Sequence, residues 1–169
     1  MNPWPDLRPI LKGIDWVIVG GVATRAYMPE RMTKDLDILA HQSNEDTILA
    51  RLKQAGYQII ERLAIPGYAL RSPEGIEVDV LFGNEAWLKE ALTHPERDPA
   101  DYPVISLPYL ILLKMEAQRA QDWADVSRML GLASDSELDA VRAIVAQYKP
   151  EDSEDLESLI FIGKQENNL

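Results

Sequence analysis

Trp16-Val-Ile-Val-Gly20-Gly21-Val-Ala-Thr-Arg25-Ala-Tyr-Met-Pro-Glu-Arg31-Met-Thr33-Lys34-Asp35-Leu-Asp37-Ile-Leu39 sets a glycine pair and a carboxylate pair at the two ends of one short unit. Residues 16–19 are an apolar run rich in β-branched side chains, as a buried strand requires, and the run stops at two residues without a Cβ. Backbone there can come close to a ligand. Asp35 and Asp37 alternate with Leu36 and Ile38. On a strand, residues i and i+2 share a face with their Cα atoms roughly 6.5–7 Å apart, so both carboxylates point the same way.

Two like charges on one face repel, and a divalent cation offsets that repulsion. Oxygen ligands without histidine or cysteine favour a hard ion such as magnesium, held by carboxylates together with the phosphates of a substrate. A third carboxylate follows. Tyr68–Arg71 and Ile76–Phe82 flank Ser72-Pro73-Glu74-Gly75, which has the residue order of a type I turn, and the three pieces predict a β-hairpin. Val78, Val80 and Phe82 then face one way while Glu77, Asp79 and Leu81 face the other, which would carry Asp79 beside Asp35 and Asp37. Three aspartates on neighbouring strands suffice for two metal ions about 3.5–4 Å apart, one activating an attacking hydroxyl and one holding a departing pyrophosphate.

The order Gly20-Gly21, a helix-length gap, Asp35-Leu36-Asp37, then Asp79 between hydrophobic residues resembles the DNA polymerase beta-type nucleotidyltransferase superfamily. The spelling Gly-Gly-x-Ala followed by Arg31-x-Thr33-x-Asp35-x-Asp37 is similar, within it, to the small bacterial AbiEii-like group of abortive-infection and toxin–antitoxin systems. A second block, Leu107 to Val126, resembles that group's helical stretch, in which Lys114 is followed by Ala117-x-Arg119 and then Asp122 and Asp125. The group usually has a basic residue just before the aspartate, where this chain has Gln121. The resemblance covers roughly residues 14–130.

It implies an α+β nucleotidyltransferase fold, a mixed sheet flanked by helices and followed by a C-terminal helical lobe. It implies magnesium-dependent transfer of a nucleoside monophosphate from a nucleoside triphosphate to a hydroxyl. Asp35 and Asp37 would bind metal, and Asp79 would bind metal or activate the acceptor. Gly20, Gly21, Arg31, Thr33 and Lys114 would line the nucleotide. The acceptor would be a tRNA end or a partner protein. A small cationic acceptor such as an aminoglycoside is a second reading, and a module that binds nucleotide or partner without chemistry is a third.

Each signal also has a plainer reading. A glycine pair after a strand serves a tight turn, and Asp-x-Asp also marks the wet face of an edge strand. Lys114, in the apolar helix 110–115, reads equally as a surface lysine laid along its own stem. Arg119 and Asp122 read as a helix-surface ion pair. Tyr27 and Tyr109 read as packing groups or as platforms for a base. Arg25 has no decided role. His41 and His94 lack partners at ligand spacing, which disfavours zinc.

Composition bounds the rest. With 169 residues, 46% hydrophobic, and no cysteine, the chain can bury a good core without disulfides or thiolate chemistry. No apolar run approaches the ~20 residues that cross a bilayer, and Met1-Asn-Pro-Trp-Pro5 lacks signal-peptide character, so a cytoplasmic location is expected. The net charge of −11 works against a broad nucleic-acid footprint and suits a cationic small molecule or basic protein. Lys12, Arg25, Arg31, Lys34 and Lys114 could still form a local basic patch for a tRNA end.

Expected elements are helices at 22–28, 45–55, 85–92, 108–118, 121–131 (stopped by Gly131) and 135–149, with strands at 35–40 and 57–61 besides the hairpin. Ser134-x-x-Glu137 has the capping-box spelling, and the apolar stripe Leu156, Leu159, Ile160, Phe161 is expected to dock on the body or on another chain. The proline-bearing stretch 94–103 is expected to act as a hinge between a catalytic domain, 1–105, and a helical region, 106–169.

Overall fold

Strand β1 (Trp16–Val19) is buried over its whole length and lies inside a seven-stranded mixed sheet of order β3-β4-β5-β2-β1-β7-β6. The computed structural model describes residues 4–168. The remaining strands are β2 (Asp35–His41), β3 (Gln58–Arg62), β4 (Gly67–Arg71), β5 (Glu77–Gly83), β6 (Glu96–Arg97) and β7 (Pro103–Val104). β2 runs antiparallel to β1 and parallel to β5, whose other edge takes the antiparallel pair β4 and β3.

The period-2 pattern sets this arrangement. Leu36, Ile38 and Ala40 of β2 and Val78 and Val80 of β5 are fully buried, while Asp35, Asp37 and Asp79 alternate with them on the opposite, half-buried face. The hairpin forms as expected: the Gly75 N–H donates to the Ser72 carbonyl at 2.9 Å and closes the turn between β4 and β5. Helix α2 (Glu45–Gln54), with Ile48 and Leu52 buried, and strands β3 and β4 make up the connection that brings β5 alongside β2.

Helix α1 (Gly20–Ala23) follows β1 without a loop, because Gly20 turns the chain at φ +65°. The helix expected over 22–28 is therefore shifted and shorter. α1 passes into a 3₁₀ turn over Thr24–Ala26, where the Tyr27 and Met28 N–H groups both donate to the Thr24 carbonyl, just before Pro29. After α3 (Leu88–Thr93), the segment expected as a hinge instead carries β6 and β7 and extends the sheet past β1. Asp98, fully buried there, accepts from the N–H groups of Ala100 and Tyr102 at 2.9 Å and is ion-paired with Arg25. That pair ties the segment to the turn after α1, and it gives Arg25 its place.

Helix α4 (Leu107–Ala117) is buried nearly all round, as its continuous apolar run requires, and stops at Gln118 in the left-handed region. Helix α5 (Ala120–Leu132) does not stop at Gly131; it runs to Leu132 and packs along α7 (Ser153–Asn167). A Cβ on Gly163 would strike the Ser127 carbonyl, and one on Gly131 would strike the Gly163 carbonyl, so the two glycines allow backbone contact between the helices. Helix α6 (Asp135–Tyr148) opens with the expected capping box, Ser134 Oγ accepting from the Glu137 N–H at 3.2 Å and Glu137 from the Ser134 N–H at 2.8 Å. Of the C-terminal stripe, Leu156 and Ile160 dock on the body while Phe161 stays exposed. Among the described residues no helix is long and apolar enough to cross a membrane.

Candidate active site

The register between β2 and β5 places Asp37 directly opposite Asp79, with Asp35 two residues earlier on the same face. One carboxylate oxygen from each of the three lies within 4.8 Å of the others. Oxygens packed this closely repel, and the sheet also removes them from water. Burial, then the charges of Asp35 and Asp79, push Asp37 up to about 7. Burial, then Asp35, Glu77 and Glu61, push Asp79 up to about 6. Asp79 Oδ1 is buried with no hydrogen-bond partner among the described residues. An acceptor atom left so is costly unless a proton or a cation meets it. The donor set is three hard oxygens on two neighbouring strands, and it fits a divalent metal.

The glycine pair serves the same cluster. The Asp37 carboxylate lies against Gly20, where a Cβ would overlap it, and the Thr33 methyl and Arg31 guanidinium lie against Gly21. Gly20 thus both turns the chain and leaves the space that Asp37 occupies. A cavity of about 600 Å³ opens over this face, lined by Gly20, Gly21, Asp35, Asp37 and Asp79 from the sheet side and by Lys114 among others from α4. Arg31, Thr33 and Lys34 contribute from the loop before β2, and Arg119, Gln121 and Asp122 from the start of α5.

Lys114 is neither a surface lysine nor a free cation. Its Nζ is buried and donates to Asp122 at 3.1 Å and Asp125 at 2.9 Å. Arg31 holds Asp125 with two bonds, Nε to Oδ1 at 2.9 Å and a terminal nitrogen to Oδ2 at 2.8 Å, and Gln121 Nε2 donates to the same carboxylate at 2.9 Å. Arg119 donates to Asp122 at 2.7 Å. Burial raises Asp122 and Asp125, but these donors outweigh it and hold both below the usual carboxylate value. The pairing of Arg119 with Asp122, read from sequence as a surface ion pair, therefore has an exposed arginine and a buried aspartate.

Sequence reasoning gave Asp122 only a surface ion pair and Asp125 no role of its own, whereas Asp122 lines the cavity and the buried Asp125 anchors Arg31 and Lys114, which line it too. The spacing of three between the two aspartates on one helix face, matched to one lysine in an apolar helix, was the available signal. Tyr27 donates to the Ile105 carbonyl at 2.6 Å and Tyr109 stacks on Trp87 at 5.5 Å, so both are packing groups. His41 accepts from the Ser43 N–H and His94 pairs with Glu90, both away from the carboxylates.

Three carboxylates on adjacent strands lie next to a strand–glycine–helix turn and face the cavity that α4 and the start of α5 close. The family model described as nucleotidyl transferase AbiEii toxin, type IV toxin–antitoxin system, matches residues 8–168, and the chain belongs to that family of nucleotidyltransferase enzymes. Solved structures share the fold at low identity. One is the lincosamide antibiotic adenylyltransferase LnuA with lincomycin bound, 14% identical at a TM-score of 0.51 over 82% of this chain and 90% of that one. Another is a Thermotoga maritima protein assigned as a nucleotidyltransferase, also 14% identical, at a TM-score of 0.50 over 73% of this chain and 89% of that one. A comparison with curated protein sequences finds no match.

Proposed function

We propose that Asp35, Asp37 and Asp79 hold magnesium and that the cavity above them transfers a nucleoside monophosphate from a nucleoside triphosphate to an acceptor hydroxyl. The observation that carries this reading is the carboxylate cluster with the unpartnered, buried Asp79 oxygen. Magnesium, when bound, would neutralise the carboxylates and the phosphates and acidify the acceptor hydroxyl. Asp35 and Asp37 would hold that ion, with Gly20, Gly21, Thr33, Arg31 and Lys114 on the nucleotide side of the cavity. Asp79 completes the metal-binding set or, where it stands free of the ion, takes the proton of the acceptor hydroxyl. The acceptor oxygen bonds to the α-phosphorus, the bond from that phosphorus to the oxygen bridging to the β-phosphate breaks, and pyrophosphate leaves. The transfer asks the protein for position and charge rather than covalent chemistry.

The toxin–antitoxin family favours a macromolecular acceptor, a tRNA end or a partner protein, and an antitoxin as partner. The net charge of −11 favours the second reading, a small cationic acceptor. The test incubates the wild type and Asp37→Ala with each α-labelled nucleoside triphosphate, magnesium and a bacterial lysate, and separates RNA, protein and small molecules. Label in one fraction with the wild type alone is expected and names the acceptor class. Equal labelling by Asp37→Ala would reject the proposed site, and nucleotide binding without labelling would favour the binding module.

A further inference from the structure

Four basic side chains line the cavity: Arg31, Lys34, Lys114 and Arg119. Three of them are committed, Arg31 to Asp125, Lys114 to Asp122 and Asp125, and Arg119 to Asp122. Lys34 has no hydrogen bond or ion pair among the described residues. It is exposed, and it sits one residue ahead of β2, next to the Asp35 that begins the carboxylate cluster.

A triphosphate brings more negative charge than its metal cancels, and the excess lies on the β- and γ-phosphates that leave as pyrophosphate. Moving Arg31 or Lys114 onto that tail would strip Asp125 of a partner while leaving it buried, the costly half of breaking an internal ion pair. Lys34 carries no such penalty. A lysine on a flexible stem acts on phosphate as a movable point charge, and here it loses only part of its contact with water.

We infer that Lys34 is the cation that contacts the β,γ-phosphates of the nucleoside triphosphate, while Arg31 and Lys114 hold the cavity wall in place through Asp125. This assignment rests on the nucleotidyltransferase reading above. Its consequence is that Lys34 distinguishes a triphosphate from a monophosphate and stabilises the pyrophosphate as it departs.

The test titrates the α,β-methylene triphosphates of the four common nucleosides, which cannot transfer, and the matching monophosphates. Binding is measured with magnesium to the wild type, Lys34→Gln and Lys34→Arg. The expected result is triphosphate binding by Lys34→Gln weakened about tenfold, the loss of one charge-assisted contact. Monophosphate binding should be unchanged, and Lys34→Arg should recover most of the loss. Equal triphosphate affinity in Lys34→Gln and wild type would overturn the assignment and leave the nucleotidyltransferase reading standing. A parallel loss for mono- and triphosphate would overturn it too, since the effect would not then belong to the tail. A wild type that binds no triphosphate would overturn both.

Discussion

Asp37 shows what the cluster does to the protein that carries it. Its carboxyl titrates near 7 in the fold against 3.8 as an ordinary group, so in the metal-free protein the folded state binds the proton more tightly than the unfolded chain does. The stability this proton lends is complete below the unfolded value and is lost as pH rises through about 7. Asp37→Asn removes the charge at every pH. It is expected to raise the midpoint of thermal unfolding of the metal-free protein at pH 8, at about 2–4 °C per kcal/mol for a chain of this size, with little gain at pH 5. An equal gain at both pH values in a thermal melt would assign the effect to packing instead of charge. The carboxylates were legible in the sequence because a period of two and their apolar frame fix their face without knowledge of partners. The roles of Lys114, Asp122 and Asp125 were not, since a buried lysine and a surface lysine have the same local sequence and only the packing of α4 on α5 separates them.

Among the elements, those with a long periodic pattern or a named cap were legible: β2, α2, the β4–β5 hairpin and α6. β6 and β7 were not, because two residues each give no period, and Pro95, Pro99 and Pro103 read as a linker. Pairing with β1 through the Ile18 carbonyl, which accepts from the Ile105 N–H at 3.0 Å, is a non-local event that composition does not carry. Gly131 read as a helix stop for a related reason: a glycine that ends a helix and one that admits a neighbouring helix look alike until the neighbour is known. Gly163→Ala separates these physically. Helix propensity alone would gain about 1 kcal/mol from alanine. Contact with the Ser127 carbonyl, which is backbone and has no rotamer to yield, is expected instead to cost about 1–3 kcal/mol, read as a lower urea midpoint. A variant as stable as the wild type, or more so, would contradict the backbone contact between α5 and α7.

The whole molecule sets a condition on any polyanionic acceptor. Its formal charge is −11, with 28 acidic against 17 basic residues, so the field around it repels RNA at long range whatever the cavity offers at short range. Ordinary RNA-binding surfaces lose affinity as salt is added. If the acceptor is a tRNA end, transfer here should run the other way and quicken from low ionic strength up to about 0.15 M, where the screening length falls to about 8 Å and the repulsion fades before the site's own contacts do. Initial rates against potassium chloride measure this. A rate that falls steadily from the lowest salt would point to a basic docking surface supplied by a partner.

The pairing of Asp37 with Asp79 has a consequence for the order in which the protein comes into being. The two residues meet only after α2, β3 and β4 have been made and laid down, so a nascent chain holds the glycine turn and both early carboxylates long before it holds a third. Any product that ends ahead of β5 carries the glycine turn, Asp35 and Asp37 but not the third carboxylate of the cluster. The carboxylate cluster is thus completed in one step, when the parallel ladder between β2 and β5 closes, and its cavity only later, when α4 and the start of α5 are laid over it.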